Sequence, residues 1–181
     1  MIQTLVMKKK IRVVLVEDNE DERMFMKEGF LQTGLYDIVG EAENGDEMLG
    51  LLNSTPSLPD VIISDLNMPV RNGYEVIMDT KTNSSLSHIP VIILTTAPLK
   101  PYADRCIKLG ACAYYTKPDT FLEYKEFAEK IYGDVTECLG GGNVDYSSLG
   151  TWLKHGFTFT RNLFYNAAKA IVSFRQQQFA R

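Results

Sequence analysis

Apolar and polar positions alternate along the chain in blocks. The run Ile11–Val16 is β-branched and lies between a basic triplet and an acidic cluster, which predicts a strand buried on both faces. Asn19 then stands where a helix cap belongs, and Met24, Phe25, Phe30 and Leu31 recur at helical spacing through residues 20–32, up to Gly34. The same reading predicts strands over residues 36–40, 60–64, 90–95 and 113–116. Helices are predicted over 45–52, 75–81, 101–109 and 120–132, with Pro101 suited to a first helical turn. Strand and helix thus alternate five times. Continuous apolar strands in that order imply a doubly wound five-stranded parallel sheet of the α/β class, with helices on both faces and right-handed crossovers.

Ligands of such folds sit beyond the carboxyl ends of the strands. Here those ends read Glu17-Asp18, Asp65, Thr95-Thr96 and Lys117-Pro118. Three carboxylates brought together raise one another's pKa strongly and need a cation, and a set of oxygen donors points to Mg²⁺. Taken alone, Glu17-Asp18 reads equally well as a solvated acidic helix start, Thr95 as a β-branched strand residue and Tyr114 as core packing. The whole set in order is specific.

The segments VVLVEDNEDE, PDVIISDLNMPVRNGYEV, IPVIILTT and AYYTKP resemble the receiver domain of bacterial two-component response regulators, over about residues 10–133. The resemblance implies the flavodoxin-like receiver fold, with Asp65 as phosphoacceptor. It implies Mg²⁺ held by Asp18, by Glu17 directly or through water, by Asp65 and by the main-chain carbonyl of Asn67. Lys117 becomes the fixed cation, followed by a cis bond to Pro118; Thr95 becomes the switch hydroxyl and Tyr114 the aromatic that turns inward behind it. Gly73 is expected at a turn needing positive φ. The phosphoryl donor is then a histidine kinase or a histidine phosphotransfer protein, since neither His88 nor His155 lies in a phosphotransfer helix.

Two departures from the family pattern stand out. Thr96 occupies a position that is usually small, which narrows access to Asp65, and Ala97 follows it at the approach of a hydrolytic water. Thr96→Ala is expected to speed phosphorylation by small donors. The loop TTAPLKPYADRCIKLG resembles the stand-alone regulators paired with phytochrome-type kinases.

Composition narrows the classes. The 181 residues are 45% hydrophobic and 23% charged with a net charge of −4, which excludes wholesale disorder and a polycationic surface for nucleic acid. No apolar run approaches the roughly 20 residues that cross a bilayer. Cys106, Cys112 and Cys138 are an odd set without metal-ligand spacing, so no disulfide framework or zinc site is predicted. Cys106 and Cys112 read as small buried hydrophobes in a reducing cytoplasm. At the amino terminus apolar residues precede Lys8-Lys9-Lys10, the reverse of a secretory signal, and Met7 offers a second start.

The expected organisation is an extension over 1–9, a receiver over 10–133, a glycine-bearing linker over 134–146 and an amphipathic helical tail over 147–181. Residues 134–181 carry five basic and three acidic residues, with Trp152, Phe157, Phe164, Ile171 and Phe174 near one helical stripe. Phe157–Thr160 alternates as a strand would. Three readings fit the tail: packing on the receiver or on a second copy as a homodimer, a docking helix governed by Asp65, or an interfacial membrane helix. A DNA-binding effector does not fit so short and sparsely basic a segment.

The function expected is a phosphoacceptor that assists its own phosphorylation and turns over no external metabolite. Two rivals are a pseudo-receiver adaptor, which has no use for a costly acid cluster, and a nucleotide or flavin binder, for which the first strand lacks a glycine-rich loop.

Overall fold

The computed structural model describes residues 10–96 and 99–140, together with the backbone of Phe159–Thr160. The order is β1 (Ile11–Val16), α1 (Glu20–Gln32), β2 (Tyr36–Ala42), α2 (Gly45–Ser54), β3 (Val61–Ser64), α3 (Gly73–Thr82), β4 (Val91–Thr95), α4 (Lys100–Leu109), β5 (Ala113–Thr116), α5 (Tyr124–Gly140) and β6 (Phe159–Thr160), with a 3₁₀ turn at Phe121–Glu123 before α5. The sheet runs β2-β1-β3-β4-β5-β6. Its first five strands are parallel, and β6 pairs antiparallel to β5.

The continuous apolar strands follow from burial on both faces. Along β1, Val14 and Val16 join one core layer with Met48, Val76, Ile77 and Cys106 from α2, α3 and α4. Ile11, Val13 and Leu15 join the other with Met26, Phe30, Tyr124 and Ile131 from α1 and α5. Close approach of α1 to α5 depends on Gly29, where a Cβ would lie 2.8 Å from the Tyr124 carbonyl carbon. Within that second layer Tyr36 Oη of β2 donates to the Ala128 carbonyl of α5 at 2.9 Å.

Asparagine caps start three of the helices, each oxygen accepting from free N–H groups of the first turn. Asn19 accepts from Glu22 N, Asn44 from Asp46 N and Glu47 N, and Asn72 forms a capping box with Glu75. These caps fix where the chain leaves each strand end.

Four expectations change. Residues 134–140, assigned to a linker, are the last turns of α5, because the buried stripe Phe127, Ala128, Ile131 and Val135 continues at helical spacing. Cys112 is bonded to Cys138, with Cα atoms 6.1 Å apart, because that longer helix passes the start of β5. Gly73 opens α3 without positive φ; Val70 takes the left-handed conformation instead, with φ 65°. The Lys117–Pro118 bond is trans.

The two residues of β6 realise the strand alternative for Phe157–Thr160 and interrupt a continuous helix there. The rest of the tail over 147–181, the 1–9 extension and Ala97 lie outside the described residues. Among the described residues no helix is long and apolar enough to cross a membrane.

Candidate functional site

The site forms where β1, β3, β4 and β5 end side by side. Asp65 N donates to the Val16 carbonyl at 2.8 Å, and Lys117 N donates to the Thr95 carbonyl at 2.8 Å, so adjacent strands hold the polar residues in line. Ser64 of β3 pairs with Val16 of β1, and Thr95 of β4 pairs with Thr116 of β5.

Glu17, Asp65 and Lys117 are all buried, at 2%, 5% and 7% exposure. The Lys117 ammonium donates to Glu17 Oε2 at 2.7 Å and stands 3.3 Å from Asp65 Oδ1. Asp65 Oδ2 accepts from the main-chain N–H of Asn67 at 2.6 Å. One carboxylate oxygen of Asp65 is therefore oriented by the chain and the other faces a cation. Burial pushes the Glu17 carboxyl above its ordinary range, against the downward pull of Lys117. For Lys117, burial pulls the ammonium down, but Asp65, Glu17 and Glu22 outweigh it and the net shift is upward. Lys117 is thus a fixed positive charge.

Asp18 and Asn67 are exposed at the rim of the same strand ends, and Thr96 is exposed beyond buried Thr95. Tyr114 is turned inward, in the core layer that holds Cys106 and Ile107. Burial raises its phenol above the usual range, with smaller contributions from neighbours that include Cys106 and Asp65.

The loop after Asp65 is held close by Gly73. A Cβ there would overlap the Asp65 carbonyl oxygen and lie 2.8 Å from Leu66 Cα. Gly73 N donates to the Leu66 carbonyl at 3.0 Å. Its role is close approach to the backbone of Asp65.

Glu22, Arg23 and Tyr124 join the site without a sequence signal of their own. Glu22 on α1 lies 4.0 Å from the Lys117 ammonium and accepts from Tyr124 Oη at 2.7 Å. Arg23 donates to the Glu17 carbonyl at 2.6 Å and fixes the backbone of the acidic pair. Helical spacing from Asn19 places Glu22 in the first turn of α1, but its reach to Lys117 depends on the packing of α1 against α5.

The donor set suits a hard cation. Glu17, Asp18 and Asp65 offer carboxylate oxygens and Asn67 a carbonyl, with no sulfur or imidazole among them. Among the described residues no three Asp, Glu, His or Cys side chains form a ready-made cage. A hard ion such as Mg²⁺ would keep several waters and take only one or two of these carboxylates directly. Because Glu17 is engaged by Lys117, contact through water fits it better than direct ligation.

The model of the response regulator receiver domain matches residues 13–126. Chemotaxis protein CheY1 of Helicobacter pylori is 30% identical over 123 residues, which cover 68% of this chain and 98% of that protein. Histidine kinase P4 of Formosa agariphila is 36% identical over 118 residues, covering 65% of this chain but only 8% of the kinase. Among solved structures, the phosphorylated cyanobacterial phytochrome response regulator RcpA is 26% identical, with a TM-score of 0.61 over 68% of this chain and 91% of that one. The Mn²⁺-bound form of response regulator Rcp1 is 25% identical, with a TM-score of 0.58 over 75% and 97%. With the matched span containing Glu17, Asp65, Thr95 and Lys117 in one buried cluster, the chain belongs to the response regulator receiver domain family.

Proposed function

We propose that this receiver accepts a phosphoryl group on Asp65 from a phosphohistidine of a histidine kinase or phosphotransfer protein, with Mg²⁺, and passes the change to a protein-binding surface. The observation that carries this reading is the placement of Asp65: one oxygen faces the Lys117 ammonium at 3.3 Å and the other is oriented by Asn67 N–H. In the transfer the P–N bond to the donor imidazole breaks and a P–O bond to an Asp65 carboxylate oxygen forms, giving an acyl phosphate and a free histidine.

Lys117 neutralises charge on the transferring group without proton movement, and Asn67 N–H holds the carboxylate in a single orientation. Asp18, Asp65 and the Asn67 carbonyl, with Glu17 through water, would hold Mg²⁺, which would supply the remaining charge compensation. Thr95 then turns its hydroxyl to a phosphoryl oxygen, while Tyr114 stays packed behind it and biases the loop before α4. Thr96 and Ala97 govern access of small donors and of water. The protein acts in the cytoplasm as a switch and turns over no external metabolite. Similarity to the phosphorylated RcpA and Mn²⁺-bound Rcp1 structures supports both the modification and the divalent cation.

Intact mass after incubation with Mg²⁺ and phosphoramidate tests the reading. Wild type gains one acid-stable, base-labile phosphoryl group and Asp65→Asn gains none; an unmodified wild type, or equal gain in both, refutes it.

A further inference from the structure

The three cysteines divide into one inert thiol and one responsive pair. Cys106 is wholly buried on α4, and burial pushes its thiol up to about 12, so it presents almost no thiolate near neutral pH. Cys112 and Cys138 are only half-buried, and they are joined to each other. Cys112 lies between the left-handed Gly110 that ends α4 and the first residue of β5, with its N–H donating to the Val91 carbonyl at 2.7 Å. Cys138 lies in the last turn of α5.

The bond sits where the chain leaves the receiver and where it returns. Up to Val135, α5 is held by its buried stripe and by Tyr115 Oη donating to Asp134 at 2.6 Å. Beyond Val135 it buries no further side chain, so the sulfur bridge fastens the final turn. The residue after Cys112, Ala113, pairs with Thr160 of β6. Residues 138 and 160 are thereby both anchored at the amino end of β5, one covalently and one by strand pairing.

We propose that Cys112 and Cys138 are a reversible thiol–disulfide switch that controls how firmly the end of α5 and the returning β6 strand are held on the edge of the receiver. In a reducing compartment a surface disulfide is a responsive element rather than a permanent staple. This rests on the cytoplasmic part of the proposed function, but the chemistry is independent of Asp65.

Oxidation proceeds with a low-molecular-weight disulfide such as oxidised glutathione. One cysteine thiolate attacks it, forming a mixed disulfide and expelling one thiolate. The second cysteine loses its proton, attacks the mixed disulfide and expels the other thiolate. The net change converts two protein thiols to one disulfide and one external disulfide to two thiols.

The test is a glutathione redox titration of the full chain, quenched with N-ethylmaleimide and read by intact mass and peptide mapping. Two thiols are expected to disappear together as a mapped 112–138 pair, reversibly, with Cys106 retained and Cys106→Ser behaving as wild type. Cys138→Ser is expected to stop at a glutathione adduct on Cys112. Hydrogen exchange on both redox forms is expected to show residues 136–140 and 159–160 exchanging about fivefold faster or more when reduced, with β1 unchanged. Pairing through Cys106, an unreactive Cys112 in Cys138→Ser, or identical exchange in the two forms overturns the proposal. A chain that titrates as described but takes no phosphoryl group refutes the function of Asp65 and leaves this switch standing.

Discussion

The two ends of β5, a strand of four residues, are anchored by opposite means. At the carboxyl end, Lys117 is held by charge between Glu17 of the β1 end and Asp65 of the β3 end. At the amino end, Cys112 is held by a covalent bond to α5. The ionic end works only when three strands deliver their residues together, because a buried charge deprived of its partners is costly. The covalent end needs two local neighbours and a suitable oxidant. Chemistry and restraint are thus placed at opposite ends of one short strand, and each is open to separate perturbation.

The largest expected effect lies at the covalent end. The disulfide spans 26 residues, and in the chain-entropy account a loop of that size contributes about 3–4 kcal/mol. Urea melts with and without dithiothreitol should therefore differ by about that much, while the rate of phosphoryl uptake by Asp65 changes less than twofold. A large rate change would mean that the two ends are coupled after all.

The next effect is at the ionic end. Lys117→Met keeps the aliphatic stem and removes the charge that faces Asp65. Phosphoryl uptake should fall about 10²-fold, the usual loss for a preorganised charge or donor. The Cys112–Cys138 titration should stay in place. A time course with phosphoramidate measures the first and thiol alkylation the second.

Gly73→Ala probes how closely the ionic end is built. Its Cβ meets the backbone of Asp65 and Leu66, which cannot yield as a flexible side chain would. A loss of about 1–3 kcal/mol is expected from overpacking, together with slower uptake at Asp65. Unchanged stability and rate would show that the loop adjusts freely.

The smallest effect near neutral pH concerns titratable groups buried in the two core layers. Cys106, Tyr36, Tyr114 and Tyr124 are each pushed up by burial, Cys106 to about 12. The unfolded chain gives up these protons first, from about pH 9 for the thiol, so the native state binds more protons above that point. Stability should fall as pH rises from about 9 toward 12, with a shallow slope near pH 9, where only the thiol contributes. Melts of the Cys112→Ser/Cys138→Ser protein, which carries no disulfide, would isolate this slope; a flat profile contradicts it.

The same contrast explains what was legible in the amino-acid sequence. β1, α1 and β5 follow the expected bounds to the residue, because apolar runs, the Asn19 cap and Gly34 with φ 69° are local signals. Glu17, Asp65, Thr95 and Lys117 were legible because the topology of a doubly wound sheet carries every strand end to one edge. The Cys112–Cys138 bond was not, since it depends on α5 continuing to Gly140. Val135 extends the buried stripe of Ile131 and was a usable signal for that length. The positive φ expected at Gly73 falls on Val70 instead, and space beside Asp65, rather than backbone freedom, is why position 73 lacks a side chain. Glu22 reaches Lys117 only through the packing of α1 on α5, which no local pattern encodes.

The central claim is that Asp65 is the residue that takes the phosphoryl group. Reduction of the phosphorylated chain with borohydride converts an aspartyl phosphate to homoserine, and peptide mapping then locates it. Homoserine is expected at position 65 alone, dependent on Mg²⁺ and absent from Asp65→Asn. Homoserine at another carboxylate, or none at 65 in a chain whose mass shows a phosphoryl group, would contradict it.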